Sequence, residues 1–403
     1  MSDRLRVAIF AESYLPYLSG VTVATETLVR ALGAAGHEVL LAAPRPAGDG
    51  EPGTAGARGP EPAYAWLASY QPPPPAPSGY RMPSPLPGNA LDAVRDFRPQ
   101  VVHAQSPFVS GLMARRLAQK ARVPLVFTHH TRFGDYGHYL GPLAGIGRRV
   151  MAAYLRDFWG GCAAIIAPGS ELGDEIRAEL GTTPRPLVRA IPSGIDLAAV
   201  RALPVADLRA VHGWPADAVV AVSLGRIAPE KSVALLVEAF ADAAHANQRL
   251  RLLLIGGGPS ADAIRRRAAQ PDLAGRLAVT GMLPRPEALA RLHGGDFFVF
   301  ASRTETQGLV LCEALAAGLP VAALAGPGVA DSVRDGVDGM VVRRPATEGE
   351  AAAALADAIR ALGSDAALRA RLAEAAVTGA KRFDVARRTG EVVDLYREVI
   401  GRR

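Results

Sequence analysis

Short apolar segments alternate with segments of helical periodicity along almost the whole of this 403-residue chain. A strand-length apolar run followed by an amphipathic helix is typical of parallel α/β sheets, because the crossover between two parallel strands covers the sheet with a helix. With 49% hydrophobic residues, the chain can fill two cores of ordinary size. The alternation therefore predicts two α/β domains and excludes a single small module.

The series of predicted strands restarts halfway along the chain, which indicates two doubly wound sheets joined near residues 192–215. The domains expected are residues 1–192 and 193–385, followed by a last amphipathic helix in residues 386–403. The predicted strands cover residues 6–10, 38–43, 101–104, 125–128, 163–167 and 188–191 in the first half, and 219–224, 251–255, 277–280, 297–301, 321–325 and 340–342 in the second.

Residues 44–88 interrupt the pattern with a stretch rich in glycine and proline, which includes four consecutive prolines from Pro72 to Pro75. Proline has no amide donor, so these residues cannot form a central strand or the interior of a helix. The stretch is predicted to be an irregular extended insertion that runs over the surface.

The sequence shows no export signal and no membrane span. The apolar run near the amino terminus is only as long as a strand and contains Arg6. The uncharged, largely apolar stretch of residues 314–330 is shorter than the roughly 20 residues that a spanning helix needs. Two distant cysteines, Cys162 and Cys312, fit a reducing compartment. A cytoplasmic protein is expected. Its net charge of +6 favours an anionic partner, either a nucleotide, a nucleic acid or a lipid surface.

Ligands of open α/β sheets bind beyond the carboxyl ends of the strands, where a loop turns into the amide-rich start of a helix. Gly20 lies at such a turn and would let a phosphate approach the backbone, although a purely structural glycine is the alternative. The triple glycine 256–258 also follows a strand, where it favours a tight turn lining the site over phosphate binding. No GxxxxGK[ST] segment is present, which argues against a P-loop nucleotidase.

Two segments of the second half place charged residues directly after strands. Arg226 offers a planar fork of donors and Lys231 a point charge, which together suit a diphosphate. Glu305 lies on a loop, and Glu313 lies within the apolar sequence Leu-Cys-Glu-Ala-Leu, where a buried carboxylate is unfavourable unless a ligand or a cation satisfies it. Carboxylates that hold sugar or ribose hydroxyls would explain both. Solvated surface charges are the alternative for all four residues.

His129 and His130 directly follow a strand of the first half, and histidine can bind a sugar hydroxyl or transfer a proton. A zinc site built from His129, His130 and His138 is the alternative. Neighbouring residues on an extended segment point to opposite sides, however, and the chain lacks a DxD carboxylate pair. No metal site is therefore expected.

Taken together, these elements resemble the retaining GT-B glycosyltransferases of family 4, which include bacterial lipid glucosyl- and mannosyltransferases. The resemblance covers nearly the whole chain. It implies two Rossmann-like domains that face a central cleft, the first binding the acceptor and the second the nucleotide sugar, with the last helix packing back on the first domain. It rests on Gly20, His130-Thr131, Gly225-Arg226, Glu230-Lys231, and Glu305 and Glu313 with seven residues between them.

The resemblance also implies roles for individual residues. Arg226 and Lys231 would neutralise the donor diphosphate in the transition state, Glu305 would hold hydroxyls of the transferred sugar, and His130 would lie near the reaction centre. His129 would take that place if the register were shifted by one residue. The other residues assigned to the donor are Gly20, Gly256, Gly258, Gly281, Thr306, Gln307, Gly308, Leu309 and Glu313.

Within that family, residues 304–309 together with His130-Thr131, Asp135-Tyr136 and His138-Tyr139 are similar to enzymes that put glucose on diacylglycerol, whereas residues 132–134 depart from their pattern. Mannosyltransferases of the family more often have an aromatic residue at the position of Gln307. The resemblance therefore implies a retaining, metal-independent hexosyltransferase that uses UDP-glucose as donor, needs no cofactor and acts on a lipid at the cytoplasmic membrane face. Transfer of mannose from GDP-mannose to a lipid or a soluble acceptor is the alternative.

A lipid acceptor requires contact with a membrane, and residues 146–159 have suitable side chains for a helix lying on an anionic surface. An ordinary core-packing helix with solvated arginines fits the sequence equally well. The residues assigned to the acceptor or the membrane are His129, Tyr136, Tyr139, Arg148, Arg149, Arg156 and Trp159.

Two other functions stay open at the level of the sequence. A sugar-nucleotide epimerase or hydrolase can share this fold, and so can a protein that binds a nucleotide sugar without catalysis. Nucleic-acid binding is disfavoured, because the arginines are dispersed and no recognition motif is present.

Overall fold

The computed structural model describes residues 4–46, 62–73, 79–86, 90–132, 144–182 and 186–402. The chain divides into two compact units. Unit 1 comprises Met1–Gly194 and Val385–Arg403, and unit 2 comprises Ile195–Asp384. Tyr136 and Tyr139, which the sequence assigns to the acceptor, lie outside the described residues.

Unit 1 is built on a parallel sheet of seven strands. They are β1 (Arg6–Phe10), β2 (Glu38–Pro44), β3 (Ala63–Leu67), β6 (Val101–Ala104), β7 (Leu125–Thr128), β8 (Ala164–Ala167) and β9 (Leu187–Ala190), and a separate antiparallel pair consists of β4 (Ser69–Tyr70) and β5 (Met82–Pro83). The strand order in the large sheet is β3-β2-β1-β6-β7-β8-β9. The helices are α1 (Gly20–Ala34), α2 (Ala90–Asp96), α3 (Val109–Ala121), α4 (Ala144–Gly160), α5 (Ser170–Leu180) and α15 (Val385–Gly401).

Both faces of this sheet are covered, which explains why most residues of its strands are apolar. In β1, Ala8 and Phe10 belong to one core, whereas Val7 and Ile9 belong to the other. The second core also contains Tyr396, so the C-terminal helix α15 is part of unit 1. Burying a large apolar side chain stabilises a fold by about 1.5–3 kcal/mol, and α15 therefore contributes directly to the stability of this unit.

Residues 44–88 are less irregular than predicted, because they contain the strands β3, β4 and β5. Ala63–Leu67 form the edge strand β3, which pairs in parallel with β2 from Leu40↔Ala63 to Pro44↔Leu67. Ala65 and Leu67 are buried, and Tyr64 stacks on Trp66 with ring centroids 4.8 Å apart. The alternation of buried and aromatic residues favours a strand here, and the prolines lie outside it.

Unit 2 contains a parallel sheet of six strands. They are β10 (Val219–Leu224), β11 (Leu250–Ile255), β12 (Leu277–Val279), β13 (Phe297–Phe300), β14 (Val321–Leu324) and β15 (Gly339–Val342), in the order β12-β11-β10-β13-β14-β15. The helices are α6 (Leu197–Arg201), α7 (Leu208–His212), α8 (Val233–Ala246), α9 (Ala261–Ala268), α10 (Arg285–His293), α11 (Leu309–Ala316), α12 (Val329–Ser332), α13 (Glu348–Ser364) and α14 (Ala366–Gly379), with 3-10 turns at Pro229–Lys231 and Ala380–Phe383.

The strand order reverses beside the first strand of each sheet. In unit 1, β1 lies between β2 and β6, and in unit 2, β10 lies between β11 and β13. Ligands of doubly wound sheets bind at such a switch point, because the loops leaving two neighbouring strands run to opposite faces and leave a crevice. The predicted fold class of two doubly wound Rossmann-like domains is confirmed, and the loops after β1, β6, β10 and β13 are the places to look for a site.

Candidate functional site

The loop after β10 carries the two cationic residues that the sequence assigns to a diphosphate. Arg226 donates to the carboxylate of Glu230, four residues further on, and about half of the Arg226 side chain is exposed. Glu230 itself is buried in the turn Pro229–Lys231, and its carbonyl oxygen accepts from the amide of Arg303 at 3.2 Å. Glu230 therefore fixes one end of Arg226 and also links the β10 loop to the β13 loop.

Lys231 and Glu305 form an ion pair between the same two loops. The Nζ atom of Lys231 donates to Oε1 of Glu305 at 2.6 Å, and their side chains are 25% and 17% exposed. A charge-assisted bond this short, at a partly buried position, holds both groups in a defined geometry. The structure therefore brings two of the predicted residues into direct contact at the carboxyl edge of the sheet of unit 2.

The glycines after β11 and β12 hold these loops together through their backbone. Gly256 forms an antiparallel bridge with Gly281, and the amide of Ile227 donates to the carbonyl of Gly257 at 2.9 Å. A Cβ atom on Gly258 would lie 2.5 Å from the carbonyl oxygen of Ile227. These glycines permit close backbone packing beside Arg226. Their assignment to the donor stays a prediction.

The turn from β13 into α11 places Gly308 at the helix N-cap with φ +71°, in the left-handed region that favours glycine. Thr306 and Leu309, on either side of this turn, are partly exposed. Gln307 is 3% exposed, and its side-chain amide lies 3.4 Å from Sγ of Cys312. The side chain of Gln307 is therefore turned away from the helix start and packs inside unit 2, so only its backbone could approach a donor.

Glu313 is buried in α11, as its apolar sequence neighbours suggested. One of its carboxylate oxygens, however, already accepts a hydrogen bond from a cationic side chain of the protein. Arg285, at the start of α10, donates to Oε1 of Glu313 at 2.5 Å. The burial of Glu313 therefore does not require a ligand, and its role with ribose stays a prediction. No sequence pattern pointed to Arg285, because Arg285 and Glu313 come together only in the folded chain.

In unit 1, Gly20 is the first residue of α1, directly after the capping residue Ser19. Ser19 accepts from the amide of Thr22 at 3.2 Å, and the Thr22 hydroxyl accepts from the amide of Ser19 at 2.8 Å. A Cβ atom on Gly20 would meet no described atom within 4 Å. Protein packing therefore does not explain a glycine at this position, and the open space lies over the amide-rich end of a 15-residue helix.

The two adjacent histidines point to different places. His129 is 3% exposed, and its ring lies 5.5 Å from those of both Phe127 and Trp159, in the apolar core. His130 lines a cavity together with His103, Gln105 and Thr128, and its Nε2 atom lies 2.7 Å from Oε1 of Gln105. Alternation along the extended backbone directs the side chain of His129 into the core, and its assignment to the acceptor stays a prediction.

Buried His103 connects the sheet of unit 1 to its C-terminal helix. Its Nδ1 atom lies 2.6 Å from the Tyr396 hydroxyl, and its Nε2 atom lies 2.7 Å from the Thr128 hydroxyl. Burial lowers the pKa of His103 and of His129 to about 3 each, and that of His130 to about 4. All three imidazoles are therefore neutral at pH 7.

We expect acid to destabilise unit 1 because of these histidines. Unfolded imidazoles titrate near pH 6.5. Below that pH, these histidines bind protons in the unfolded chain but remain neutral in the folded chain. Above pH 6.5 the free energy of unfolding is not reduced by these histidines. As the pH decreases from 6.5 toward the folded pKa, each buried histidine lowers the free energy of unfolding by about 1.4 kcal/mol per pH unit. Denaturant unfolding between pH 7 and pH 4.5 measures this slope.

His103→Asn should reduce the pH dependence of the free energy of unfolding by about 1.4 kcal/mol per pH unit, the contribution of one histidine. This holds whatever the effect of the substitution on stability at pH 7. His245→Asn is the matched control, since His245 is exposed on α8. Equal slopes for the wild type and the His103 variant would contradict the expectation.

Helix α4 differs from the membrane-lying helix that the sequence suggested. Trp159 is 5% exposed and belongs to the core of unit 1, and Arg156 pairs with Glu179 at 2.7 Å. Trp159 therefore packs inward among apolar neighbours, and its assignment to the acceptor or the membrane stays a prediction. Arg148 and Arg149 are exposed at the other end of the helix, near two exposed apolar residues, Ile146 and Val150. Among the described residues, no helix combines the length and apolar character needed to cross a bilayer.

Two residues at the switch point of unit 1 were missed from the sequence. Glu12, just beyond β1, accepts from the amide and the hydroxyl of Ser110 at 2.8 and 2.7 Å. Gln105, just beyond β6, is 3% exposed and bonds to His130. The available signal was a polar residue within two positions of the end of a buried strand, which both Glu12 and Gln105 show.

Two family models match the chain in succession. Residues 18–199 match the family described as Glycosyltransferase Family 4, and residues 205–378 match Glycosyl transferases group 1. The alpha-monoglucosyldiacylglycerol synthase of Streptococcus pneumoniae is 27% identical over 82% of this chain and 74% of its own length. A D-inositol 3-phosphate glycosyltransferase of Catenulispora acidiphila is 30% identical over 74% of this chain and 72% of its own length.

The same fold occurs in a solved structure. The crystal structure of HepE from Anabaena in complex with UDP and glucose matches this chain with a TM-score of 0.72 at 18% identity, and the match covers 98% of this chain and 100% of the other. At this identity the similarity concerns the fold alone.

Proposed function

The chain belongs to the family 4 glycosyltransferases of the GT-B fold, and from that premise we propose that it transfers glucose from UDP-glucose to diacylglycerol with retention of configuration. Membership of this family favours sugar transfer over a sugar-nucleotide epimerase, a hydrolase or a non-catalytic binding protein. The choice of glucose and diacylglycerol is supported by the similarity to the pneumococcal alpha-monoglucosyldiacylglycerol synthase, which extends over most of both chains.

The ion pair between Lys231 and Glu305 is the main observation in support of donor binding by unit 2. It holds a cation and a carboxylate together at the carboxyl edge of unit 2, with the half-exposed Arg226 on the same loop as Lys231. Lys231 and Arg226 would receive the diphosphate, while Glu305 would accept bonds from hydroxyls of the sugar. The start of α11 after Gly308 would add backbone amides, which favour negative charge.

In the proposed reaction, the acceptor hydroxyl attacks C1 of the sugar on the face from which the diphosphate departs. The bond from C1 to the phosphate oxygen breaks, the new glycosidic bond forms, and the hydroxyl proton leaves with the departing phosphate. Negative charge grows on that phosphate in the transition state, and preorganised cations lower the barrier most where such charge develops. Because Lys231 and Arg226 supply this charge, the mechanism proposed is independent of a metal ion.

A lipid acceptor also needs a surface that meets the bilayer, and the start of α4 has the chemistry for it. Arg148 and Arg149 are exposed there between Ile146 and Val150, which are 63% and 64% exposed. Cationic residues attract anionic lipid headgroups by about 1 kcal/mol each, and exposed apolar side chains insert at the interface. We therefore place the contact with an anionic membrane at residues 146–150.

Reversing the two charges of this surface, in Arg148→Glu/Arg149→Glu, should weaken binding to vesicles containing anionic lipid by about tenfold or more. Turnover with acceptor dissolved in neutral detergent should change little. The matched control is Arg116→Glu/Lys120→Glu, which reverses two exposed charges on α3. Vesicle co-sedimentation measures binding, and equal loss in both double variants would contradict a specific contact at α4.

Product analysis tests the proposed function as a whole. Purified protein is incubated with UDP-glucose or GDP-mannose and diacylglycerol vesicles, and the product is identified by mass and its anomeric configuration by NMR. We expect an α-glucosyl lipid from UDP-glucose, formed at the same rate when a chelator is present. A product made only from GDP-mannose would replace the proposed donor, and a β-linked product would contradict retention.

A further inference from the structure

Helix α10 begins with a cation, at the end of a helix where cations are unfavourable. Arg285 is its first residue, and Pro284 at the N-cap provides no capping bond. The unpaired amides at a helix start have a partial positive charge, which repels an arginine. Glu287 in the same turn does not offset this, because it bonds to Arg291 at 3.0 Å. A residue that breaks a local rule in this way is expected to have a partner or a function elsewhere.

The partner of Arg285 is Glu313 of α11. The Nη2 atom of Arg285 donates to Oε1 of Glu313 at 2.5 Å, and the two side chains are 35% and 4% exposed. An arginine fork often binds both oxygens of a carboxylate, but here it takes only one. Among the described residues, no other side chain bonds to this carboxylate. Arg285 therefore fixes one oxygen of Glu313 and leaves Oε2 available as an acceptor.

The fold brings this pair to the same edge of unit 2 as the ion pair of Lys231 and Glu305. Helix α10 connects β12 to β13, and α11 connects β13 to β14. Because all these strands are parallel, both helices begin at the carboxyl edge of the sheet. The loop that leads into α10 is also tied to the loop after β11, since Gly281 forms a bridge with Gly256.

The position of Glu313 along α11 suits the ribose of a nucleotide whose phosphates lie at the helix start. Glu313 is the fifth residue of α11, which follows Gly308 at the N-cap. A rise of about 1.5 Å per residue places it roughly 6–8 Å along the axis from the helix start. The amides at that start favour a phosphate, and the ribose of the same nucleotide offers two adjacent hydroxyl donors. A carboxylate oxygen can accept from both.

We infer that Arg285 is a positioning residue of the donor site, which holds the carboxylate of Glu313 so that Oε2 accepts from the ribose hydroxyls of the nucleotide. The inference rests on the proposed transfer from a nucleotide sugar. It deepens that proposal, because it gives Arg285 a role and names the part of the donor whose recognition depends on it. Arg285 acts through Glu313 and does not itself have to touch the nucleotide.

The test measures the Kd of UDP and of its 2′,3′-dideoxy analogue by calorimetry, which requires neither acceptor nor turnover. The wild type should bind UDP more tightly on the order of tenfold or more, the effect of one bond to a charged group. Arg285→Met, which removes the charge and keeps much of the length, should weaken binding of UDP more than binding of the analogue. The preference for UDP should therefore narrow.

Two further variants separate positioning from direct contact with the nucleotide. Glu313→Gln should also narrow the preference for UDP, and adding Arg285→Met to it should narrow that preference no further, because Arg285 acts through the carboxylate that is already removed. Arg285→Lys restores a cation without the planar fork, so it should recover part of the preference.

The matched control is Arg291→Met, which removes a cation of the same helix that pairs with Glu287. It should bind both nucleotides as the wild type does. Arg285→Met leaves a buried carboxylate without its cation, so denaturant unfolding of each variant is measured alongside. The double variant leaves no such charge, and its comparison with Glu313→Gln tests the inference even where Arg285→Met does not fold.

The possible failures are distinguishable. A wild type that binds UDP and the analogue equally well, or an unchanged preference in a folded Arg285→Met, would overturn the role of Arg285 and leave sugar transfer standing. A further loss of preference in the double variant, or an equal loss in Arg291→Met, would overturn it as well. A wild type that does not bind UDP would overturn the proposed donor together with this inference.

Discussion

Replacing Lys231 with alanine should lower turnover on the order of a hundredfold or more, the usual effect of removing one preorganised group that stabilises transition-state charge. Two losses combine in this variant. The departing phosphate loses a cation, and Glu305 loses the partner that Lys231 provides at 2.6 Å. The carboxylate of Glu305 would then lie near the developing negative charge without this cation beside it, so the loss should exceed that of a distant cation.

The ion pair makes a double variant informative. Lys231→Ala/Glu305→Gln removes both charges, and it should be less impaired than the sum of the two single variants, because residues in direct contact are not energetically independent. Steady-state rates with saturating UDP-glucose measure these effects. Lys120→Ala is the matched control, since Lys120 is exposed at the end of α3 in the other unit. Near-normal transfer by Lys231→Ala would remove Lys231 from the mechanism.

Much of the fold could be predicted because buried parallel strands are apolar on both faces. The predicted strand at residues 219–224 has the bounds observed for β10, and residues 251–255 differ from β11 by one residue. Such runs contrast sharply with the amphipathic helices between them. Strand β3 was missed, because the surrounding prolines and glycines dominate the composition of its segment and only five residues carry the strand pattern.

The sequence correctly placed the candidate groups on loops that follow strands, but it could not identify the residues with which they pair. Lys231 and Glu305 each follow a strand, and their pairing depends on β10 and β13 being neighbours in the sheet. Arg285 was invisible for the same reason, since it reaches Glu313 from another helix. Ion pairs between distant segments are set by strand order, and spacing along the chain does not encode them.

Side-chain direction limited the prediction for the first half. Alternation along extended backbone implied that only one of His129 and His130 faces a ligand, but the register that decides between them comes from the sheet. Trp159 is of a residue type that is common at membrane interfaces, but it packs in the core of unit 1. On a helix with apolar residues on several sides, only tertiary packing shows which face is buried.

The second large effect is expected from the substitution Gly256→Ala, which adds one methyl group close to the backbone of the loop that carries Arg226. Gly256 has φ +141°, and a Cβ atom there would lie 2.0 Å from the carbonyl oxygen of Gly225. Backbone atoms of two paired strands would have to separate, because no flexible side chain is available to yield. Gly256→Ala should therefore destabilise unit 2 by about 2 kcal/mol or more, from strain at positive φ and from overpacking.

Gly257→Ala provides a control one residue away. Its Cβ atom would meet Cγ of Met282 at 3.1 Å, and Met282 is 68% exposed, so its flexible side chain can move aside. That variant should stay within about 1 kcal/mol of wild type. Denaturant unfolding of both variants, followed by a signal from unit 2, measures the difference. Because the loop that carries Arg226 packs on this backbone, Gly256→Ala should also lose UDP affinity, whereas Gly257→Ala should retain it. Equal stability of the two variants would contradict the close approach of the β10 and β11 loops, and with it the account of how Arg226 is held in place.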